Sequence, residues 1–229
     1  MRTVLVGFAA SILSLHVSVG QIKVLEVKGD VRVRHDVQQA WLPVRTGDVL
    51  KPNDSMKSGK RSGTTVLTEG KKRVTLPENV VIDLSDLRML TREELLLKLA
   101  MEKVRTLPQE QNDEPAIPEA TVLHGTEKVP SYVAHPGDEL GNLQLNGTRV
   151  LYNTGFYATC ALKAKEVFRL YPGLLKKMEF RLMVASALEK ESLRGEAITE
   201  YASLLNEGLS PSERETVQIR MARLKEKSD

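Results

Sequence analysis

Cysteine is almost absent from this sequence, since Cys160 is the only one in 229 residues. One cysteine cannot form an internal disulfide, so burial of apolar side chains must hold the fold together. An excess of charge of either sign is also missing, because 33 Lys and Arg residues face 30 Asp and Glu residues. This near balance argues against a dedicated nucleic-acid-binding protein.

Catalytic and metal-binding signatures are missing as well. The four histidines show no ligand spacing, no aspartate cluster resembles a calcium loop, and no glycine-rich phosphate loop is present. Cys160 with His124 or His135 would make a thiol nucleophile and base. However, Cys160 lies among alanines on a predicted packed helix, and no motif surrounds either histidine. We predict a buried core cysteine and a protein without catalytic residues, cofactor or metal; an enzyme of the cell wall is the alternative.

A long apolar run occurs only at the start of the chain. Residues 1–20 have a basic start at Arg2, an apolar centre, and small residues Ser18 and Gly20 at the positions that a signal peptidase needs. We interpret them as a secretory signal peptide, with the mature chain beginning at Gln21 and no transmembrane anchor left after cleavage. A retained membrane anchor is the alternative, because the run is close to a bilayer-spanning length.

Residues 22–84 alternate apolar and polar side chains in short segments, for example at Val31 to Arg34 and Val74 to Leu76. A period of two is typical of half-buried strands. Glycine, proline and asparagine turns separate the segments at intervals too short for crossover helices. The sequence therefore predicts an antiparallel sheet curled into a small barrel or sandwich.

These residues also resemble the FecR domain. The resemblance is carried by Val27-x-Gly29-Asp30-Val31, Trp41-x-Pro43-Val44, Gly47-Asp48-Val49-Leu50, Asp54-x-Met56-x-Ser58-Gly59 and the Glu69-Gly70 hairpin. Ser58-Gly59 and Glu69-Gly70 replace the family's usual threonine-glycine and aspartate-glycine. The resemblance implies a non-catalytic, extracytoplasmic module, found in iron-siderophore signalling regulators and in other envelope proteins.

A helix and then a linker are predicted next. Thr91 and Glu94 form a capping box. The apolar face of Leu95, Leu99, Met101 and Val104 predicts a helix over residues 91–105 that leans on the sheet. Residues 107–150 contain five prolines among many polar residues. We predict a flexible linker over 107–118 and irregular structure to residue 150.

Residues 151–229 are predicted to form antiparallel helical hairpins, because apolar residues recur every three or four positions. Ser210, Pro211 and Glu213 give the last helix a start signal. The spacing of Ala185, Ala197 and Tyr201 resembles a tetratricopeptide repeat, as does Gly155-Phe156-Tyr157 followed by Tyr171-Pro172. Fewer than the three repeats that such arrays need are present.

Two surface features have open interpretations. The basic residues of two turns would form a patch for an anionic polymer or an acidic partner if the turns lie side by side; alternatively they are solvated and protect a sheet edge. These candidate binding residues are Lys57, Lys60, Arg61, Lys71, Lys72 and Arg73. Trp41 is either a ligand-stacking residue or, as its place before Pro43 favours, a core anchor.

Together these patterns predict an α+β protein divided into residues 1–20 (signal peptide), 21–106 (FecR-like β domain with its packing helix), 107–150 (linker) and 151–229 (repeat-like helical domain). The predicted function is a non-enzymatic binding module or scaffold of the bacterial periplasm or cell envelope. Its partners would be an envelope protein and peptidoglycan or another anionic wall polymer, without nucleic acid. The alternative is a periplasmic sensory or regulatory component related to FecR-type signalling.

Overall fold

The computed structural model describes residues 21–35, 40–106 and 139–226 and confirms the α+β class. The strands are β1 (Ile22–Lys28), β2 (Val31–Arg34), β3 (Leu42–Pro43), β4 (Val49–Leu50), β5 (Ser55–Ser58), β6 (Gly63–Leu67), β7 (Arg73–Leu76) and β8 (Val80–Asp83). The helices are α1 (Arg92–Thr106), α2 (Glu139–Asn153), α3 (Tyr157–Leu170), α4 (Met178–Lys190), α5 (Arg194–Leu205) and α6 (Pro211–Glu226). Short 3-10 turns lie at Leu84–Asp86 and Pro172–Lys176.

The strands form two antiparallel sheets of four, in the orders β4-β1-β6-β7 and β3-β2-β5-β8. The predicted alternation is confirmed: Val31 and Val33 of β2, and Val74 and Leu76 of β7, are buried. Burying one side of each strand leaves the alternate residues at the surface. The predicted antiparallel architecture is therefore present as two small sheets.

The chain passes from one sheet to the other at Gly29, between β1 and β2. Gly29 has φ +73°, and a Cβ built on it would lie 2.5 Å from Oγ of Ser62. Both the positive φ and the close approach require glycine. The hydroxyl that excludes a side chain here accepts a hydrogen bond from the Asp30 N–H at 2.9 Å.

Helix α2 packs on β8 and β7, which are edge strands of the two sheets. A Cβ at Gly147 would lie 2.3 Å from the Val81 carbonyl oxygen, so glycine allows this contact. Asn146 Nδ2 donates to the Asn79 carbonyl at 2.9 Å. The prediction of irregular structure up to residue 150 is thus wrong, because Glu139–Asn153 is a helix that covers sheet edges.

Helix α1 is in the predicted place, but its predicted packing on the sheet is wrong. The capping box is confirmed, since the Thr91 N–H donates to Glu94 Oε2 at 2.9 Å and the Glu94 N–H donates to Thr91 Oγ1 at 3.2 Å. The main partner of α1 is α3, not a strand. Leu95 is buried, whereas Met101 and Val104 of the predicted apolar face are exposed.

The remaining helices pack in sequence, α2 on α3, α3 on α4, α4 on α5 and α5 on α6, and α2 also contacts α4. The predicted start of α6 is confirmed, because the Ser210 N–H donates to Glu213 Oε2 at 2.9 Å. Buried residues of the sheets and helices belong to one continuous apolar cluster, from Ile22 to Leu224. The predicted division at 107–150 therefore does not separate two cores.

The predicted leader, residues 1–20, lies outside the described residues, as do His124 and His135. Within the part of the chain that the structure describes, no helix combines the length and apolar character needed to cross a bilayer.

Candidate functional site

The six basic candidate residues do not form one patch. Lys60 and Arg61 lie in the turn before β6, and Lys71 and Lys72 lie in the turn after it. The two turns are therefore at opposite ends of a five-residue strand, which separates them by roughly 16 Å. The hypothesis that pairing of β6 brings the turns side by side is wrong.

The two halves of this basic set have different surroundings. Lys57 is on β5, opposite Arg32 of β2, at the end that leads into the Lys60 turn. Lys72, at the other end, places Nζ 4.5 Å from the centroid of the Phe156 ring. Because Phe156 is buried between α2 and α3, Lys72 joins the β region to the helices by a cation–π contact.

Trp41 is half-buried, not a core anchor, so that prediction is wrong. The guanidinium carbon of Arg34 lies 4.9 Å from the centroid of the indole ring. The arginine stacks on the tryptophan from the neighbouring strand β2, and the pair forms a surface contact.

Cys160 has no exposed surface, as predicted for a core residue. Burial raises the pKa of its thiol to about 12, so the nucleophilic thiolate is suppressed at neutral pH. Among the described residues, no group of three His, Cys, Asp or Glu side chains is placed to hold a metal ion.

An open groove of about 950 Å³ lies between α1 and helices α3, α4 and α5. This volume lies within the usual range for binding pockets. Leu96 and Leu175 on its walls are 39% and 43% exposed. The apolar residues that line it are Leu96, Leu99, Phe168, Leu175, Val184 and Leu188.

Four of the charged residues that line the groove form two ion pairs. Arg169 Nε donates to Glu102 Oε1 at 2.6 Å, joining α3 to α1. Lys165 of α3 pairs with Glu200 of α5. Each pair neutralises its own charge. Two further charged residues, Lys103 and Glu196, also line the groove and have opposite signs.

Arg181 is another paired charge of the groove, and its side chain is buried in the groove wall. Its Nη1 lies 3.0 Å from Glu207 Oε1, and its Nη2 donates to Ser203 Oγ at 3.0 Å. A buried guanidinium needs such partners, and here they hold α4 against α5 and the turn that follows it.

Sequence reasoning found packing residues in this region but missed the groove. A signal was present in Leu95, Leu96 and Leu97, three consecutive leucines on a helix. Successive helical residues point about 100° apart, so no single neighbour can bury all three. The structure buries Leu95, places Leu96 on the groove and leaves Leu97 63% exposed.

Comparison of the chain with protein-family models, with curated proteins and with solved structures finds no match.

Proposed function

We propose that this protein is a non-enzymatic adaptor of the cell envelope that binds a short apolar segment of a partner protein in the groove between α1 and helices α3 to α5. The observation that carries the proposal is the groove itself, about 950 Å³ in volume and lined by apolar side chains from α1, α3, α4 and a 3-10 turn. Apolar grooves between helices are a recurring mode of peptide recognition.

The charged residues of the groove indicate which kind of partner segment it binds. Glu102, Arg169 and Lys165 already have partners within the protein, so a charged ligand at these positions would have to displace an existing ion pair. An uncharged apolar segment needs no such exchange and gains the burial of Leu96 and Leu175. Binding is accordingly expected to persist at high ionic strength, where exposed charge pairs are screened.

The cellular setting of the proposal comes from the sequence. Residues 1–20 support export, and the FecR resemblance of residues 22–84 supports a non-catalytic, extracytoplasmic role. The packing of α2 on both α3 and α4 supports the tetratricopeptide-like interpretation, because in such arrays the first helix of a repeat contacts the next repeat.

The test compares neighbouring residues of α1. Chain beginning at Gln21 is used to isolate the partner from envelope extract, the bound segment is mapped, and the synthetic peptide is titrated by fluorescence anisotropy. Leu96→Asp and Leu175→Asp are expected to weaken peptide binding by about tenfold or more, equivalent to about 1.4 kcal/mol. Leu97→Asp is the matched control, because Leu97 is also exposed but lies outside the groove.

Retention of affinity in Leu96→Asp and Leu175→Asp would place the binding surface elsewhere and overturn the proposal. So would a bound segment in which acidic or basic residues carry the affinity and about 0.5 M salt abolishes it.

A further inference from the structure

A second, smaller cavity of about 260 Å³ lies where the 3-10 turn after β8 meets α1 and α3. Asp86 forms part of its lining together with Lys98, Leu162, Lys163 and Glu166. Part of the Asp86 side chain reaches the surface, but Oδ2 is buried and has no hydrogen-bond partner among the described residues. An unpaired buried carboxyl oxygen destabilises the folded protein, and such groups concentrate at functional sites.

The charges around this oxygen are unbalanced. Lys163 Nζ lies 2.7 Å from Asp83 Oδ2 and 2.9 Å from Glu166 Oε2. With Asp86, whose charge also acts on Lys163, three carboxyl groups lie near one partly buried ammonium. Two of the three N–H donors of Lys163 are engaged by Asp83 and Glu166. No described side chain donates a hydrogen bond to Oδ2 of Asp86, so this carboxyl, which lines the cavity, still lacks a donor at one oxygen.

The carboxyl of Asp86 titrates near neutrality. Burial chiefly raises its pKa, with Asp83 and Glu166 adding to the effect and Lys163 and Lys98 opposing it, to about 7. A cationic donor placed against this carboxyl would favour its ionised form and relieve the cost of burial. The carboxylates around Lys163 do not form a metal site, since no described group of three ligating side chains is suitably placed.

Two exposed basic residues, Lys98 and Arg105, also line the cavity. Arg105 pairs with Glu102 of the same lining at 3.5 Å, so Lys98 is the cation that can attract an anionic group at the rim. An anionic group on the ligand would therefore be attracted at the rim while an ammonium group enters. The volume lies below that of drug-sized pockets, which restricts the ligand to a small molecule.

We propose that this cavity binds a small zwitterion of the α-amino acid class, with its ammonium group on the Asp86 carboxyl and its carboxylate at Lys98. The site is separate in chemistry from the apolar groove and does not depend on the adaptor function. Ligand binding between the β region and the helices would favour the sensory alternative for this protein.

The experiment uses the chain from Gln21 and a panel of the standard amino acids at about 10 mM in thermal-shift measurements, since a ligand that binds only the native state raises its stability. The best amino acid is then titrated by calorimetry at pH 6 and pH 8. Affinity is expected to tighten by about tenfold between these values, because the ionised fraction of Asp86 rises by that factor around a pKa near 7.

Chemical analogues and variants separate the two contacts. The N-acetyl derivative, which lacks the ammonium group, is expected not to bind, and Asp86→Asn is expected to abolish binding while circular dichroism shows it folded. Lys98→Met is expected to weaken binding of the amino acid but not binding of the corresponding amine that lacks the carboxylate.

Absence of binding by every amino acid at pH 8 would overturn the proposal. Equal binding of the N-acetyl derivative, or undiminished binding by folded Asp86→Asn, would overturn it too. The Leu96→Asp variant is expected to bind the amino acid normally, so failure of the groove hypothesis and failure of this one are distinguishable.

Discussion

Asp86 destabilises the folded protein as pH rises, whereas most carboxyl groups of folded proteins stabilise it. Its pKa is raised from 3.8 to about 7 on folding, chiefly by burial. The native state therefore holds the proton more tightly than the unfolded chain, and Asp86 destabilises the fold progressively as pH rises from about 4 to about 7. We expect Asp86→Asn, which carries no charge, to exceed the wild type in stability by up to about 4 kcal/mol at pH 8 and to match it near pH 4. Urea unfolding at the two pH values measures the difference.

Asp83 is the matched control for this prediction. Burial on its own would raise the pKa of Asp83, but Lys163 and Ser55 together lower it. Its stabilising contribution is therefore present above about pH 4 and is lost as pH falls through the lowered value. Asp83→Asn is expected to lose roughly 1–3 kcal/mol at neutral pH. A gain in stability for Asp83→Asn, or a loss for Asp86→Asn at pH 8, would contradict this account of the cluster.

Cys160 is expected to be chemically inert while the protein is folded. Its thiol is fully buried in α3 and its pKa is raised to about 12 by burial, so reaction requires opening of the structure. Ellman's reagent at pH 8 should modify a negligible fraction of native protein and one thiol per chain in denaturant. Rapid modification of the native protein would restore the thiol-nucleophile interpretation.

At the scale of elements, the docking of α2 on β8 depends on Gly147. A Cβ there would lie 2.3 Å from the Val81 carbonyl oxygen, and backbone cannot move aside as a flexible side chain can. We expect Gly147→Ala to destabilise the protein by roughly 1–3 kcal/mol, although alanine is the better helix former. The midpoint of urea unfolding, at unchanged slope, measures this loss.

Gly195 of α5 provides the matched control for Gly147, because a Cβ at that position meets no atom within 4 Å. Gly195→Ala is expected to leave stability unchanged or to raise it by less than about 1 kcal/mol. Equal effects at the two glycines would show that α2 does not pack closely on the sheet edge.

On the whole-molecule scale, the sheets and the helices are expected to unfold together, because their buried side chains form one continuous cluster. Ion pairing of Lys163 with Asp83 and the contact of Lys72 with Phe156 also join them. Trp41 is the only tryptophan and lies in the β region, so its fluorescence follows the sheets while ellipticity at 222 nm follows the helices. The two signals should give coincident urea transitions. Two separated transitions would show that the β region and helices are independent domains.

Local features of this protein were predictable from the sequence because their determinants lie within a few residues. Apolar alternation predicted β2 and β7, and the Thr91–Glu94 and Ser210–Glu213 pairs predicted the starts of α1 and α6. Each depends on a side-chain period or on a hydrogen bond three residues along the chain. The α+β class and the burial of Cys160 followed from the same patterns.

The sequence by itself thus determined the strands, most helices and their caps, whereas the tertiary structure decided what they pack against. Helix α2 lies in a segment predicted to be irregular because of its prolines and polar residues, and its Gly147 serves the contact with Val81. The basic turns lie apart because β6 extends between them, and Asp86 meets Lys163 and Glu166 only because α3 folds back onto the turn after β8. Contacts between residues far apart in the chain depend on the path of the whole backbone, and short-range periodicity carries no information about that path.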